Sequence, residues 1–504
     1  MKAADLAVFL LYLSGVVFFG LSFFRRNKTP GAYTLGNRDV PAWVVGMSIF
    51  ATFVSSISYL ALPGQAYQTN WNPLVFSFSL PFAAWMAVKF FVPLYRSVNS
   101  PSAYTWLEMR FGRWAKYYAS SMYLLTQLMR TGTILFLLAL MLNSATGWDI
   151  AIVISITGIC VILYSMLGGI RAVLWTDAVQ GILLGTGAVV CALILTFSIP
   201  GGPERLFSVA AGNNKFSLGS LRPGFTESTF WVVLIYGIFI NLQNFGIDQN
   251  YIQRYLTARS DSEAKKSALF GALLYIPVSL LFLYIGTALF SFYTVRPDLL
   301  PAGVTGDRVF PYFIFSQLPP GLAGLLVSSV FAAGMSTIST SVNSSATVLL
   351  KDYFTPKGVG GSRRKQMAVL YVSSAIFGLL GIGIGIAMIN VQSALDAWWK
   401  LASVFSGGML GLFLLGFFNK RVTSGPAIAG TLAGVIIIAW ISLSPVFLTG
   451  TLEKYACPLH GYMAIVAGTT VIVLTGFLGG VVLKEKVESR VAGGRTKRSG
   501  VWRG

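Results

Sequence analysis

Stretches of about twenty apolar residues, long enough to span a bilayer as helix, recur along nearly the whole chain. Only 11% of the 504 residues are charged and 55% are hydrophobic, where a soluble domain carries about a quarter charged residues. A chain of this kind can satisfy its backbone in lipid only as helices or a closed barrel, and uninterrupted apolar runs select helices. The sequence therefore predicts an all-α polytopic membrane protein with about 13 transmembrane helices. They are expected at about 3–23, 41–68, 72–95, 115–143, 149–167, 173–199, 229–252, 267–293, 320–350, 367–389, 396–418, 425–446 and 460–483. The first is followed by Arg25 and Arg26 and lacks a small-residue cleavage site, so it reads as a retained helix.

A net charge of +20 could signal nucleic acid, but its distribution argues against that. Basic residues gather in alternate loops: Arg25, Arg26, Lys28 and Arg38; Arg96, Arg110, Arg113 and Lys116; Arg171; Arg254, Arg259, Lys265 and Lys266; Lys351 to Lys365; Lys420 and Arg421; and the tail from Lys484. This is the positive-inside pattern. With an odd number of spans it sets the N-terminus outside and the C-terminus in the cytoplasm, in a plasma membrane. The basic tail, 484–504, is expected against anionic lipid or disordered. Cys160, Cys191 and Cys457 suggest no disulfide framework, and His460 is the sole histidine, which disfavours transition-metal chemistry and histidine relays. No Ser/His/Asp set, glycosidase-type acid pair or phosphate-cradling loop is found, so an enzyme is not expected.

Two spans are too polar for uniform contact with lipid. One, 41–68, holds Thr52, Ser55, Ser56 and Ser58 before Pro63-Gly64; the other, 229–252, holds Asn241, Gln243, Asn244, Asp248, Gln249 and Asn250. Each suits a broken helix whose freed backbone lines a cavity. Five spans separate them, as in a transporter built from inverted repeats with its site near the midplane. A third span carries seven hydroxyls in ten residues, Ser336 to Ser345. Uncharged oxygens at that depth suit a weakly held monovalent cation such as Na+. Singly, such hydroxyls more often back-bond to the preceding turn or ease close packing; their density here favours the ion. Arg130, mid-span, presents a fork suited to a carboxylate; the plainer alternative is a salt bridge to a buried acid. Asp177 lies one turn inside its span, placed either to supply charge beside a cation or to cap the helix. Asp248 is the other acid available, though close enough to a helix end to be solvated.

Taken together, these motifs resemble the sodium:solute symporter family. The resemblance rests on Gly46-Met47-Ser48-Ile49-Phe50-Ala51-Thr52 with Ser55-Ser56; on Gly168-Gly169; and on Trp175-Thr176-Asp177 with Gln180-Gly181. It continues in Gln249, Gln253-Arg254, Phe331-Ala332-Ala333 running into Ser336, and Gly407-Gly408-Met409-Leu410-Gly411-Leu412-Phe413 with Gly416. It covers about residues 5 to 480 and implies LeuT-like inverted five-helix repeats. The extra helix would be 3–23, repeat one about 41–199, repeat two about 229–418, and the two additional helices about 425–483, all in one domain, 1–483. It further implies a sodium site of the Ala51, Val54 and Ala333 carbonyls with the Ser336 and Thr337 hydroxyls. A second would use Asp177, Ser336, Ser339 and Thr340.

Within the family the chain looks most similar to bacterial sialic acid carriers. That likeness makes Arg130 the holder of a substrate carboxylate and puts Ser55, Ser58 and Gln243 in the substrate-facing set. Phe245 matches an aromatic inner gate, with simple packing as the alternative. The chain departs from the pattern at Phe53, where a hydroxyl residue is expected, and at Ser77, where a Gln is expected; both positions face the substrate. The function expected is Na+-coupled import of a small organic anion, a sialic acid or related sugar acid, by a protein that works as a monomer. The alternatives are a Na+-coupled carrier of a neutral sugar with Arg130 structural, a proton-coupled carrier, and a membrane-embedded solute sensor.

Overall fold

The computed structural model describes residues 2–357, 362–390, 408–419, 421–448 and 450–498. The described residues form helices and no extended sheet. The principal ones are α1 (Ala3–Leu21), α2 (Ala42–Phe53), α3 (Ser56–Gln68), α4 (Arg113–Thr146), α5 (Ile150–Ser198), α6 (Phe230–Ile247), α7 (Gln249–Thr257), α8 (Asp261–Val295), α9 (Leu322–Val348), α10 (Arg363–Ala387), α11 (Ser424–Phe447) and α12 (Met463–Arg498). Between α3 and α4 a segmented span covers Leu74–Val98.

Ten of the described helices are long and apolar enough to cross a membrane, eleven if the bent pair α2/α3 is one span. The expected thirteen are not reached, for two reasons. The first is that α5 runs 49 residues, about 73 Å at 1.5 Å per residue, more than twice a bilayer core. It takes in both expected spans, 149–167 and 173–199, joined at Gly169, whose backbone is left-handed (φ 60, ψ −163). There a Cβ would stand 2.7 Å from Asn27 Oδ1, while Asn27 donates to the Leu167 carbonyl at 2.9 Å. The Gly168-Gly169 pair thus makes a clamped turn within one helical assignment. The second reason is that most of the expected span 396–418 lies outside the described residues; its Gly408–Phe418 part is helical. The backbone helix of α12 continues to Arg498, into the basic tail, whose last residues are outside the described range.

Both expected interruptions occur. At the first, Val54 and Ser55 are extended (ψ 103 and 168), bending α2 against α3 by 51°. Ser55 restarts the helix by accepting from the Ser58 amide at 3.4 Å. At the second, Asp248 is extended (ψ 123) and caps α7 by accepting from the Asn250 amide at 2.7 Å. In each case a polar cap replaces the water that would otherwise serve the freed amides.

Of the helices long enough to span, the hydroxyl-rich α9 is the most enclosed: 89% of its apolar window is buried, against 17% for α1. It packs on α1, α2, α3, α4, α5 and α10. Surrounding one helix so closely requires small residues along it, and Ala, Gly, Ser and Thr dominate 328–347. Asp5 on α1 caps its start, accepting from the Gly321 and Gly324 amides at 2.7 and 3.1 Å. On the side opposite the basic loops, the 200–228 and 294–319 connections carry the helices Gly202–Gly212 and Val309–Gln317. Lys215 from the first grips the end of α3, donating to the Tyr67 and Thr69 carbonyls at 2.6 and 3.1 Å.

Candidate functional site

The two interruptions face a shared aromatic cluster. Phe53, at the end of α2, stacks on Phe245 of α6 with centroids 5.5 Å apart. Tyr275 of α8 meets Phe53 edge-on at 4.5 Å, and Tyr251 of α7 and Phe76 stand 6.3 and 6.5 Å away. Beneath this floor, toward the basic loops, every residue of α7 is buried. Tyr95 and Tyr255 fix the break from below, donating to the Gly246 and Phe245 carbonyls at 2.7 and 2.9 Å. Phe245, the residue expected as an inner gate, has no exposed surface and is packed within this cluster. Phe53 joins that floor, which an aromatic residue can do and a hydroxyl cannot.

Arg130, midway along α4, is half-buried. Its bond to protein is a long one, 3.4 Å from Nη2 to the Thr52 carbonyl at the first break. Among the described residues no acid lies within ion-pair distance of it, though Asp248 is near enough to feel its charge. A guanidinium has five donors, so this one stands largely unspent beside the break. On α6, about one turn before the second break, Gln243 is 8% exposed and its Oε1 accepts no hydrogen bond. An anionic group and a neutral donor are what these two side chains lack.

Of the other expected substrate residues, Ser55 is buried and occupied with its cap, and Ser58 is half-buried near Tyr275. Ser77 differs from expectation. Its hydroxyl is paired with Ser279 of α8 at 2.9 Å and is 1% exposed. A short side chain at 77 reaches its neighbour helix rather than the space a longer amide would enter.

The residues of the first expected sodium site come from the end of α2 and the middle of α9, which pack together. The chain leaves the helix after Phe53, so the carbonyls at the end of α2, Ala51 among them, fall out of the i+4 ladder. On α9, Thr337 donates to the Ala333 carbonyl at 3.1 Å and Ser336 donates to Asp177 Oδ1 at 2.7 Å. A donating hydroxyl keeps its lone pairs, so both oxygens remain able to face a cation.

Around the second expected site the structure assembles more than the sequence reading named. Asp177 accepts from Ser336, from Ser48 at 2.5 Å, and from Arg254 Nη2 at 2.7 Å. Arg254 also donates to Thr340 Oγ1 at 2.6 Å, to Ser48 Oγ at 2.8 Å and to the Asn250 carbonyl at 2.7 Å. Both charged side chains are 0% exposed. Asp177 and Thr340 thus converge on a guanidinium, with Ser336 held to the carboxylate. Ser339 turns its hydroxyl to the Ser336 carbonyl at 3.0 Å, the ordinary back-bond of a helical serine. Asp177 caps no helix, and Asp248 is a capping residue that keeps part of its surface exposed. Ser48 has no expected role, and Arg254, expected in a basic loop, is instead fully buried against Asp177. The available signal is that Arg254 is the one charge between Asp248 and Arg259.

The model of the sodium:solute symporter family matches residues 33–434. The sodium/sialic acid symporter NanT of Aliivibrio fischeri is 30% identical over 485 residues, 95% of this chain and 93% of that protein. The sodium/sialic acid symporter SiaT of Proteus mirabilis is 31% identical over 475 residues, 93% of each chain. A solved structure of the substrate-bound outward-open state of a Na+-coupled sialic acid symporter superposes with a TM-score of 0.88 at 30% identity. It covers 95% of this chain and 98% of that one.

Proposed function

Because the chain belongs to the sodium:solute symporter family, we propose that it imports a small organic anion, a sialic acid or related sugar acid, together with Na+. It is a multi-pass membrane transporter and not an enzyme, and Na+ is its coupling ion. The observation that carries the anion is Arg130: mid-membrane, half-buried, and held by one long bond with no acid in ion-pair reach. A structural arginine at that depth would have a partner. Gln243, with its unused acceptor, supplies a second polar contact for a hydroxyl or amide of the solute. The sialic acid assignment rests on what the two bacterial relatives transport.

Na+ in the first site, at Ala51, Val54, Ala333, Ser336 and Thr337, would tie the broken helix α2/α3 to α9. The ion thereby favours one state of the bend, and the solute carboxylate at Arg130, which already touches the Thr52 carbonyl, favours the same state. Two ligands that prefer one conformation are coupled by that shared preference. A second Na+ at Asp177, Ser336, Ser339 and Thr340 competes with Arg254 for the same carboxylate, so its entry requires the guanidinium to withdraw. Two Na+ with one monoanion would carry one net charge inward, worth about 2.3 kcal/mol per 100 mV. In this reading the basic loops face the cytoplasm, with the N-terminus outside, and the floor of Phe53, Phe245 and Tyr251 is the closed inner gate of a monomer.

The test is uptake of labelled N-acetylneuraminate into proteoliposomes under an inward Na+ gradient, with K+ as control, for wild type, Arg130→Ala and Arg130→Lys. Na+-dependent uptake lost in both variants is expected, since Lys lacks the fork. Uptake that survives in both variants assigns Arg130 a structural role and favours a neutral solute.

A further inference from the structure

At the basic end of the bundle a cleft of about 300 Å³ opens away from the transport path, and three arginines line it: Arg26, Arg171 and Arg259. One acid, Asp39, shares it, so the lining carries three positive charges against one negative, a net of +2. Asp39 holds two of the three in place. Its carboxylate accepts from Arg171 Nη2 at 2.6 Å, and its carbonyl accepts from Arg259 Nε at 3.1 Å. Arg26 and Arg259 remain exposed. The arginines come from three separate places in the chain, after α1, after the Gly169 turn of α5, and after α7, so their convergence is a product of the fold.

The remaining walls are aromatic: Phe19, Phe23 and Trp175. Phe19 belongs to α1, the helix with the smallest buried share of its apolar window, so α1 presents its side chains to the bilayer. Leu11 and Phe18 on it are 74% and 72% exposed. Trp175 meets Trp43 edge-on at 5.6 Å, and Trp43 is 52% exposed, an indole at the depth where aromatic belts lie. A site with cationic donors on one wall and a lipid-facing helix on another suits an anion that carries acyl chains.

We propose that this cleft binds the phosphodiester headgroup of an anionic phospholipid, its chains running along α1. The bound headgroup bridges the segment leading into α2, the start of the second half of α5, and the exit from α7. These are the three elements that hold the Asp177–Arg254 pair and the aromatic floor, so the lipid joins them at one end. The binding claim does not depend on the identity of the transported solute.

The test uses full-length protein in neutral detergent, titrated with phosphatidylglycerol or phosphatidylcholine and read by native mass spectrometry. The variants are Arg26→Gln/Arg259→Gln, both exposed, and Arg25→Gln/Lys28→Gln, which removes equal charge at the same end outside the cleft. Phosphatidylglycerol should bind wild type in preference to phosphatidylcholine. The cleft variant should lose about fivefold in affinity per arginine, and the control pair should keep wild-type binding. Equal loss in both variants would mean diffuse surface attraction and overturn the site. Displacement of phosphatidylglycerol by inorganic phosphate at matched ionic strength would assign the cleft to a soluble anion and overturn the lipid.

Discussion

Replacing Asp177 with Asn deletes one of two opposite charges in a site closed to water. The carboxylate and the Arg254 guanidinium are 2.7 Å apart and neither has exposed surface. With an effective dielectric of about 20 their attraction is about 6 kcal/mol, against which stands the cost of taking both from water. Removing one partner leaves the other charged and unmatched, and such changes destabilise by about 3–5 kcal/mol. Some is recovered, because Arg254 keeps Ser48, Thr340 and the Asn250 carbonyl. We expect Asp177→Asn near the lower bound. Arg254→Gln should cost as much, since it strands the carboxylate with two hydroxyls. The double variant should cost less than the sum of the two by about 2–3 kcal/mol. The assay is a double-mutant cycle on unfolding in detergent, with K+ in place of Na+ so that ion binding adds no stability of its own. Additivity within about 0.5 kcal/mol would refute the pair as a coupled unit.

Three further outcomes follow from the site. Ser336→Ala removes an oxygen shared by both expected sodium sites, and should raise the Na+ concentration for half-maximal uptake by at least about tenfold; an unchanged Na+ dependence would remove Ser336 from the ion path. Gln243→Leu replaces a buried acceptor with no partner, so melting should hold or rise while the solute's KM increases; lost stability with unchanged KM would make Gln243 a structural residue. Ser77→Ala breaks the pair with Ser279 and should cost about 1 kcal/mol with solute preference intact, whereas altered preference would return Ser77 to the substrate surface.

The spans were legible because apolar length is a one-dimensional property and lipid permits few answers to it. The breaks were legible for a related reason: Ser55 and Asp248 are polar caps where no water is at hand. What the sequence did not disclose is which buried groups choose each other. Asp177 and Arg254 are 77 residues apart, and they meet only because α2 and α9 bring Ser48 and Thr340 to the same place. Read singly, Asp177 looked like an acid waiting for an ion. Ser77 illustrates the same limit in reverse, since its role depends on how near α8 passes. Arg130 was legible throughout, because a lone charge at mid-membrane must answer to something, and here the protein supplies little.

Asp5 has a consequence in the order of synthesis. It belongs to α1, yet the amides it caps, Gly321 and Gly324, lie more than 300 residues later. Until α9 is made, that carboxylate has only the Lys2 amide of its own helix start, and until α1 docks, the first turn of the hydroxyl-rich α9 has bare amides. These two helices must therefore find each other after everything between them is made. An affinity tag fused next to Lys2, whose amide also bonds to Asp5 at 3.2 Å, would load that joining step, so a C-terminal tag is the safer handle for producing this protein.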